Sequence, residues 1–421
     1  MRTTMATENN NKTLNVPNLR FPEFSGEWDR IKVSDLLEFY PTNSLSWEQL
    51  DYSGRSIFNL HYGLIHKGLP TQVDVSENTL PTIKDEYIPK KMSLCQNGDV
   101  AFADASEDTN DVAKCIEFAN CGEQKIVCGL HTIHGRDTQN KTETGYKGYA
   151  FSARPFRAQI RRLAQGTKIY SINSHNFSEC YIGIPSKEEQ SKISNLLHSV
   201  DLRIATQIKI IEDLKKLKSA ISKLLFARKD LLETTICLSD IAILKNGYAF
   251  QSSKYNPLGK WKILTIANVP GERNINDEDC NCIINLPSDI QNHQVLKEGD
   301  ILISLTGNVG RVSLCTDGNY LLNQRVGLLQ LKQGVNREYI YQALSCRRFE
   351  QTMISCGQGA AQMNIGKGDV EDYTIPYSAN SLNLEVVAST LKTYDLLISV
   401  EVDRLRLFMQ QKQYLLAQMF I

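Results

Sequence analysis

Between Pro185 and Gly247 the chain has neither glycine nor proline, and from Pro376 to Ile421 it has none either. These two residues interrupt helices most strongly, so two long uninterrupted helices are expected. The first begins with Ser186 followed three positions later by Glu189, a capping-box pattern. Its apolar residues then recur every three or four positions: Ile193, Leu197, Val200, Ile204, Ile208, Ile211, Leu214, Leu217, Ile221 and Leu224. That is a single apolar stripe on a helix. Some 40 residues at a rise of ~1.5 Å each make a rod of roughly 60 Å, which needs a partner to cover the stripe. The C-terminal segment offers one through Val387, Leu391, Tyr394, Ile398, Val402, Leu405, Phe408, Leu415 and Met419. A mutual antiparallel coiled coil is the expectation. The alternative is that each helix belongs to the core of a separate domain.

The rest of the chain also reads twice. QNGDVAFADAS (96–106) parallels KEGDILISLTG (297–307), each a turn followed by a strand-like run. AQGTKIYSINSHNFSECYIGIP (164–185) parallels GQGAAQMNIGKGDVEDYTIP (357–376), and IKVSDLLEF (31–39) loosely parallels CLSDIAILKNGYAF (237–250). A repeat of this length is a duplicated domain and not a solenoid. The expected fold class is α+β: two globular domains in pseudo-repeat, separated by two long helices. The boundaries expected are an N-terminal arm at 1–27, a first globular domain at 28–185 and a helix at 186–232. A second globular domain at 233–377 and a second helix at 378–421 complete the chain.

Lys+Arg and Asp+Glu number 47 each, so any nucleic-acid-binding surface must be local. No apolar run approaches the ~18 residues of a membrane span, and the Asn/Thr-rich start has no signal-peptide core. Eleven cysteines, an odd number scattered through a large chain, suggest reduced thiols and a cytoplasmic location.

In this order and duplicated, the motifs resemble the specificity subunit of Type I restriction-modification systems. VPNLRFPEFSGEW (16–28) is similar to that family's N-terminal segment, and DVAFADASEDTNDVAKCIEF with KIVCGLHTI to one variety of its target-recognition domain. IPSKEEQSKISNLLHSVDLRI with LKKLKSAISKLLF resembles its central helix. GDILISLTGNVGRV, NQRVGLLQL, GQGAAQMNIGKGDVEDYTIP and KQYLLAQMF resemble the corresponding segments of a second copy. The second helix departs from the pattern, reading YSANSLNLEVV where the family has Pro-(Ser/Leu)-x-Glu-Glu-Gln. The resemblance implies a non-catalytic subunit without cofactors. It would read a bipartite double-stranded DNA site, one half per target-recognition domain. The helices would serve as spacer and as docking surface for two modification subunits that methylate adenine, and ATP-dependent restriction subunits would join them.

Two regions carry the candidate DNA-binding residues. Residues 144–178 hold Lys147, Arg154, Arg157, Arg161, Arg162 and Lys168 without an acid, interleaved with Tyr146, Tyr149, Phe151, Phe156 and Tyr170. A local excess of cations is what phosphate contacts require, and Lys147, Tyr149, Arg154 and Arg157 are the candidates taken from it. The alternative is an amphipathic helix with solvated arginines and its aromatics in the core. In the second domain Asn308, Arg311, Gln324 and Arg325 fall at the ends of short strands, and Gln358, Gln362, Asn364 and Lys367 on a glycine-rich loop. Asn and Gln can pair with adenine, and Arg with guanine, in the major groove.

Cys121, Cys128, His131 and His134 lie within fourteen residues but match no paired finger. Strand alternation would send Cys128 and His131 to opposite faces, so no metal is expected. There is no GxxxxGK[ST] loop, no Asn-Pro-Pro-aromatic run and no fixed carboxylate set for a nuclease metal. Two other functions remain open: a restriction endonuclease with a fused recognition module, and a coiled-coil adaptor that reads no DNA.

Overall fold

The computed structural model describes residues 14–54, 57–76, 80–166, 168–357 and 363–421. The first long helix is Lys187–Ala227 and the second is Ser381–Gln418. Among the described residues no helix is long and apolar enough to cross a membrane. The chain divides into two compact units, one holding residues up to Ile208 with Arg404–Ile421, the other holding Lys209–Asp403. Both helices are thus shared between units, whereas the sequence boundaries set them apart as 186–232 and 378–421.

In the first unit a five-stranded sheet has the order Glu38–Tyr40, Thr132–Arg136, Val100–Ala103, Cys115–Asn120, Gln72–Asp74. A second sheet is built around Ile57–Leu60, which pairs in parallel with Lys125–Cys128. The second unit repeats this plan. Its larger sheet runs Ala242–Asn246, Val326–Leu331, Ile301–Ser304, Val312–Leu314, and its smaller one pairs Trp261–Leu264 in parallel with Tyr320–Leu322. A two-stranded ribbon closes each unit, Asp29–Lys32 on Tyr181–Ile184 and Thr234–Cys237 on Thr374–Tyr377.

The helices run antiparallel, as each unit shows by itself. In the first, Ile193, Leu197 and Val200 share a core with Leu415, Met419 and Phe420. In the second, Ile221, Leu225 and Phe226 pack against a core containing Leu384, Val387, Ala388 and Leu391. The two expectations for the helices therefore combine, since their ends are domain core as well as helix pair. Leu217 and Leu224, which the stripe assigns to the interface, are exposed, and Ser222 is buried instead. A straight helix drifts about 20° per heptad against a 3.5-residue repeat, so a stripe counted that way leaves the buried face over a rod of this length.

One polar node recurs in both units. In the first, Asp201 of the first helix accepts from Tyr149 Oη (2.9 Å) and pairs with Lys412 of the second helix (2.6 Å). In the second, Asp395 of the second helix accepts from Gln342 Nε2 (2.7 Å) and pairs with Lys218 of the first helix (2.6 Å). Arg273 adds a further bond to Asp395 (3.3 Å) and grips Glu338 with two more of 2.7 Å each. Burial raises the Glu338 carboxyl, but hydrogen bonds from Arg273 and Gln342 outweigh it and hold the pKa below its ordinary value. A depressed carboxyl stabilises the fold above its unfolded pKa of about 4.3, and that share is lost as pH falls through the folded value. Glu338→Gln should therefore melt lower than the parent at neutral pH, with the gap closing as thermal melts are moved below about pH 4.

The helix starts differ as the sequence suggests. Ser186 Oγ accepts from Glu189 N (3.3 Å), while the Glu189 carboxylate turns to Arg20 (2.7 Å) and not back to close the box. Where the second helix departs from the family pattern, Asn380 Oδ1 caps Leu382 N (3.0 Å), Glu233 takes the Ala379 N–H (2.8 Å), and Leu384 is buried.

Candidate nucleic-acid interface

In the second unit three segments distant in sequence meet at the end of strand Ile301–Ser304. Ser304 and Arg311 close the base of a loop, with Ser304 N donating to Arg311 O (2.9 Å) and Arg311 N to Ser304 Oγ (3.0 Å). The loop turns on Gly307 and Gly310, whose φ of 70° and 77° favour glycine. Leu305 N donates to Arg325 O (3.0 Å), Ile365 N to Leu305 O (2.9 Å) and Gly307 N to Met363 O (2.9 Å). The 323–325 turn is braced in turn by Gln324 N on Tyr248 O (3.1 Å) and Arg325 N on Asn323 Oδ1 (3.1 Å). A Cβ on Gly247 would lie 2.2 Å from Asn323 O, so the 247–248 segment approaches this turn as closely as glycine permits.

The candidates Asn308, Gln324, Arg325 and Asn364 are exposed at this junction. Arg325 has no ion-pair partner among the described residues. Arg311 is half-buried, 3.6 Å from Glu350, and Lys367 stands exposed with Glu371 one helical turn away at 3.6 Å. Gln358 and Gln362 lie outside the described residues.

The first unit builds the same junction from the same hydrogen bonds. Ala103 N donates to Lys114 O (3.0 Å), Asp104 N to His131 O (3.1 Å) and Ile172 N to Asp104 O (3.0 Å). Asp104, His131 and Ile172 thus stand where the second unit has Leu305, Arg325 and Ile365. His131, exposed at φ 54°, meets Asp104 Oδ1 at 3.1 Å. The loop between Asp104 and Ala113 carries exposed Asn110 and Asp108.

Three of the four candidates from residues 144–178 are placed elsewhere, and the structure corrects them. Lys147 is 2% exposed, lies 3.2 Å from the fully buried Glu117, and donates to Thr142 Oγ1 (2.8 Å). Tyr149 is 0% exposed and bound to Asp201. Arg157 is 9% exposed and donates to Asn110 O (2.5 Å), and burial pushes its guanidinium below its ordinary pKa. All three are buried in this structure. The aromatic residues explain why: Tyr146, Tyr149, Phe151 and Phe156 fill the first core and carry their neighbours inward. Arg154, at the start of helix Arg154–Leu163, stays exposed, as do Arg161 and Arg162.

Asp104, Asn110 and His131 are not among the candidates named from the sequence, although residues 104–114 resemble part of a target-recognition domain. The signal was present in the parallel of GDVAFADAS with GDILISLTG, which maps the loop bearing Asn308 onto residues after Ala103.

Comparison with known proteins gives one family. The sequence model of the Type I restriction modification DNA specificity domain matches residues 27–216 and again 233–405. Among solved structures, the S subunit of a Type I restriction-modification system from M. genitalium is similar. It is 16% identical, with 96% of this chain and 99% of that one covered, at a TM-score of 0.55. A chain from a structure on complex assembly and conformational transition of the type I R-M system is 15% identical, with 92% and 96% covered, at a TM-score of 0.56. Likeness at this identity shows a shared fold. A search of curated protein sequences found no match.

Proposed function

We propose that this chain, which belongs to the family of Type I restriction modification DNA specificity domains, recognises DNA and performs no chemistry of its own. Each unit reads one half of a bipartite duplex site. The observation that carries this reading is the repeated junction, in which identical backbone hydrogen bonds hold different side chains: half-buried Asp104 with exposed Asn110 and His131 in one unit, exposed Asn308, Gln324, Arg325 and Asn364 in the other. A constant frame with variable tips suits two readers of different sequence. Asn364, Asn308 and Gln324 have the amide geometry for adenine, Arg325 for guanine, and Asp104 can accept from cytosine. Arg154, Arg311 and Lys367 supply phosphate contacts.

The long helices dock two adenine-modifying subunits, and restriction subunits join that complex. Leu202, Leu224, Leu382, Leu396, Leu407 and Tyr414 support this, each more than half exposed on helices that already bury another face. Such apolar exposure marks a surface that another protein covers.

The test reconstitutes the chain with its modification subunits and maps the methylated adenines. Exchanging residues 30–185 for those of a relative should alter the first half of the methylated motif and leave the second. A motif unchanged by that exchange, or methylation or cleavage by the purified chain alone, would end this reading.

A further inference from the structure

Behind the Asp104–His131 junction of the first unit lie three buried side chains that DNA reading does not use. The Cys95 and Cys128 sulfurs are 3.6 Å apart, and they and a ring nitrogen of His134 fall within 4.8 Å of one another. His134 is 1% exposed. Its Nε2 is 2.8 Å from Asp99 Oδ2, a carboxylate also fixed by two bonds from Arg136 (2.8 and 2.7 Å), while its Nδ1 is buried without a hydrogen-bond partner among the described residues.

We propose that Cys95, Cys128 and His134 form a structural zinc site that fastens the strands behind the first reading junction. At Zn–S bonds of about 2.3 Å, sulfurs this far apart subtend roughly 100° at the metal, close to tetrahedral. A carboxylate on one imidazole nitrogen with the other left for the metal is the usual outer-shell arrangement of a zinc-bound histidine. Zinc would also satisfy Nδ1, an orphan that otherwise costs stability. Binding forms two Zn–S bonds and releases the two thiol protons to solvent. Cys121 lies in the same buried core but outside that 4.8 Å group, so three donors define the site.

The second unit provides an internal comparison. Cys95 N donates to Ile126 O as Leu296 N does to Tyr320 O, which aligns Cys95 with Leu296 and, two residues along the partner strand, Cys128 with Leu322. His134 opposite Ala101 corresponds to Leu328 opposite Leu302. All three equivalents are leucines in one buried cluster. Packing alone is met there by hydrocarbon, whereas the first unit places two thiols and an imidazole at the same positions.

The experiment measures metal content of the full-length chain, grown with zinc and purified by gel filtration, using elemental mass spectrometry. About one zinc per chain is expected, as for other structural sites, and cobalt substitution should give thiolate-to-metal absorption. The variant Cys95→Leu/Cys128→Leu/His134→Leu, which copies the second unit, should retain its circular dichroism and lose the metal. Should it fail to fold, His134→Gln alone reads the same loss. A parent that holds no more zinc than these variants overturns the proposal. So does an intact mass lowered by two hydrogens through a Cys95–Cys128 disulfide.

Discussion

Lys147→Met should lower the stability of the chain by about 3–5 kcal/mol, because removing one partner of a buried pair strands the other charge. Glu117 is the charge left behind: fully buried, with its pKa already raised by burial against the pull of Lys147. Its Oε2 still accepts from Gly148 N (2.8 Å), but no second cation faces it among the described residues. Denaturant titration of the full chain measures the loss. The double variant Lys147→Met/Glu117→Met should recover much of it, since an apolar pair of similar volume is often neutral to stability. Where the single variant is still folded, DNA affinity of the reconstituted complex and its salt dependence should match the parent. A lowered salt slope would return Lys147 to the phosphate-contacting set.

The second large effect belongs to the other unit. Gln324→Ala with Arg325→Ala removes two exposed side chains from a turn whose backbone is held by Asn323, Tyr248 and Leu305. The turn should persist, so stability should change little. Discrimination at the second half of the DNA site should fall by about 2–6 kcal/mol in total, at 1–3 kcal/mol for each bidentate base contact. Competition binding with single-base variants of the site measures this. The first half should keep its preferences. Equal loss at every position would instead assign the pair to the phosphate backbone.

The duplicated plan, the α+β class and both rods were legible because they rest on long-range regularities: absent glycine and proline, a stripe and repeated phrases. In the second unit the exposure of Asn308, Gln324 and Arg325 at strand ends, and of Asn364 on its glycine-rich loop, was legible for a similar reason, since a turn after a buried strand has to surface. The basic stretch misled because charge in a sequence carries no depth. Lys147 and Arg157 are drawn inward by Tyr146, Tyr149 and Phe156, and their cost is met by Glu117 and by the Asn110 carbonyl, partners 30 or more residues away. Cys95 was missed for the same cause. It lies far from Cys128 in sequence and joins it only through the pairing of Cys95 with Ile126. The four ligands counted over residues 121–134 included His131, which faces Asp104 instead.

The two aspartate nodes have a consequence for how such a chain could be assembled. Each rod carries an aspartate toward its beginning and a lysine further on, Asp201 with Lys218 and Asp395 with Lys412. Laid head to tail, either rod is chemically its own complement, acid facing base at both ends. A single gene half, one lobe with one rod, therefore already encodes both sides of the lock, and two identical halves could close on each other into a symmetric molecule.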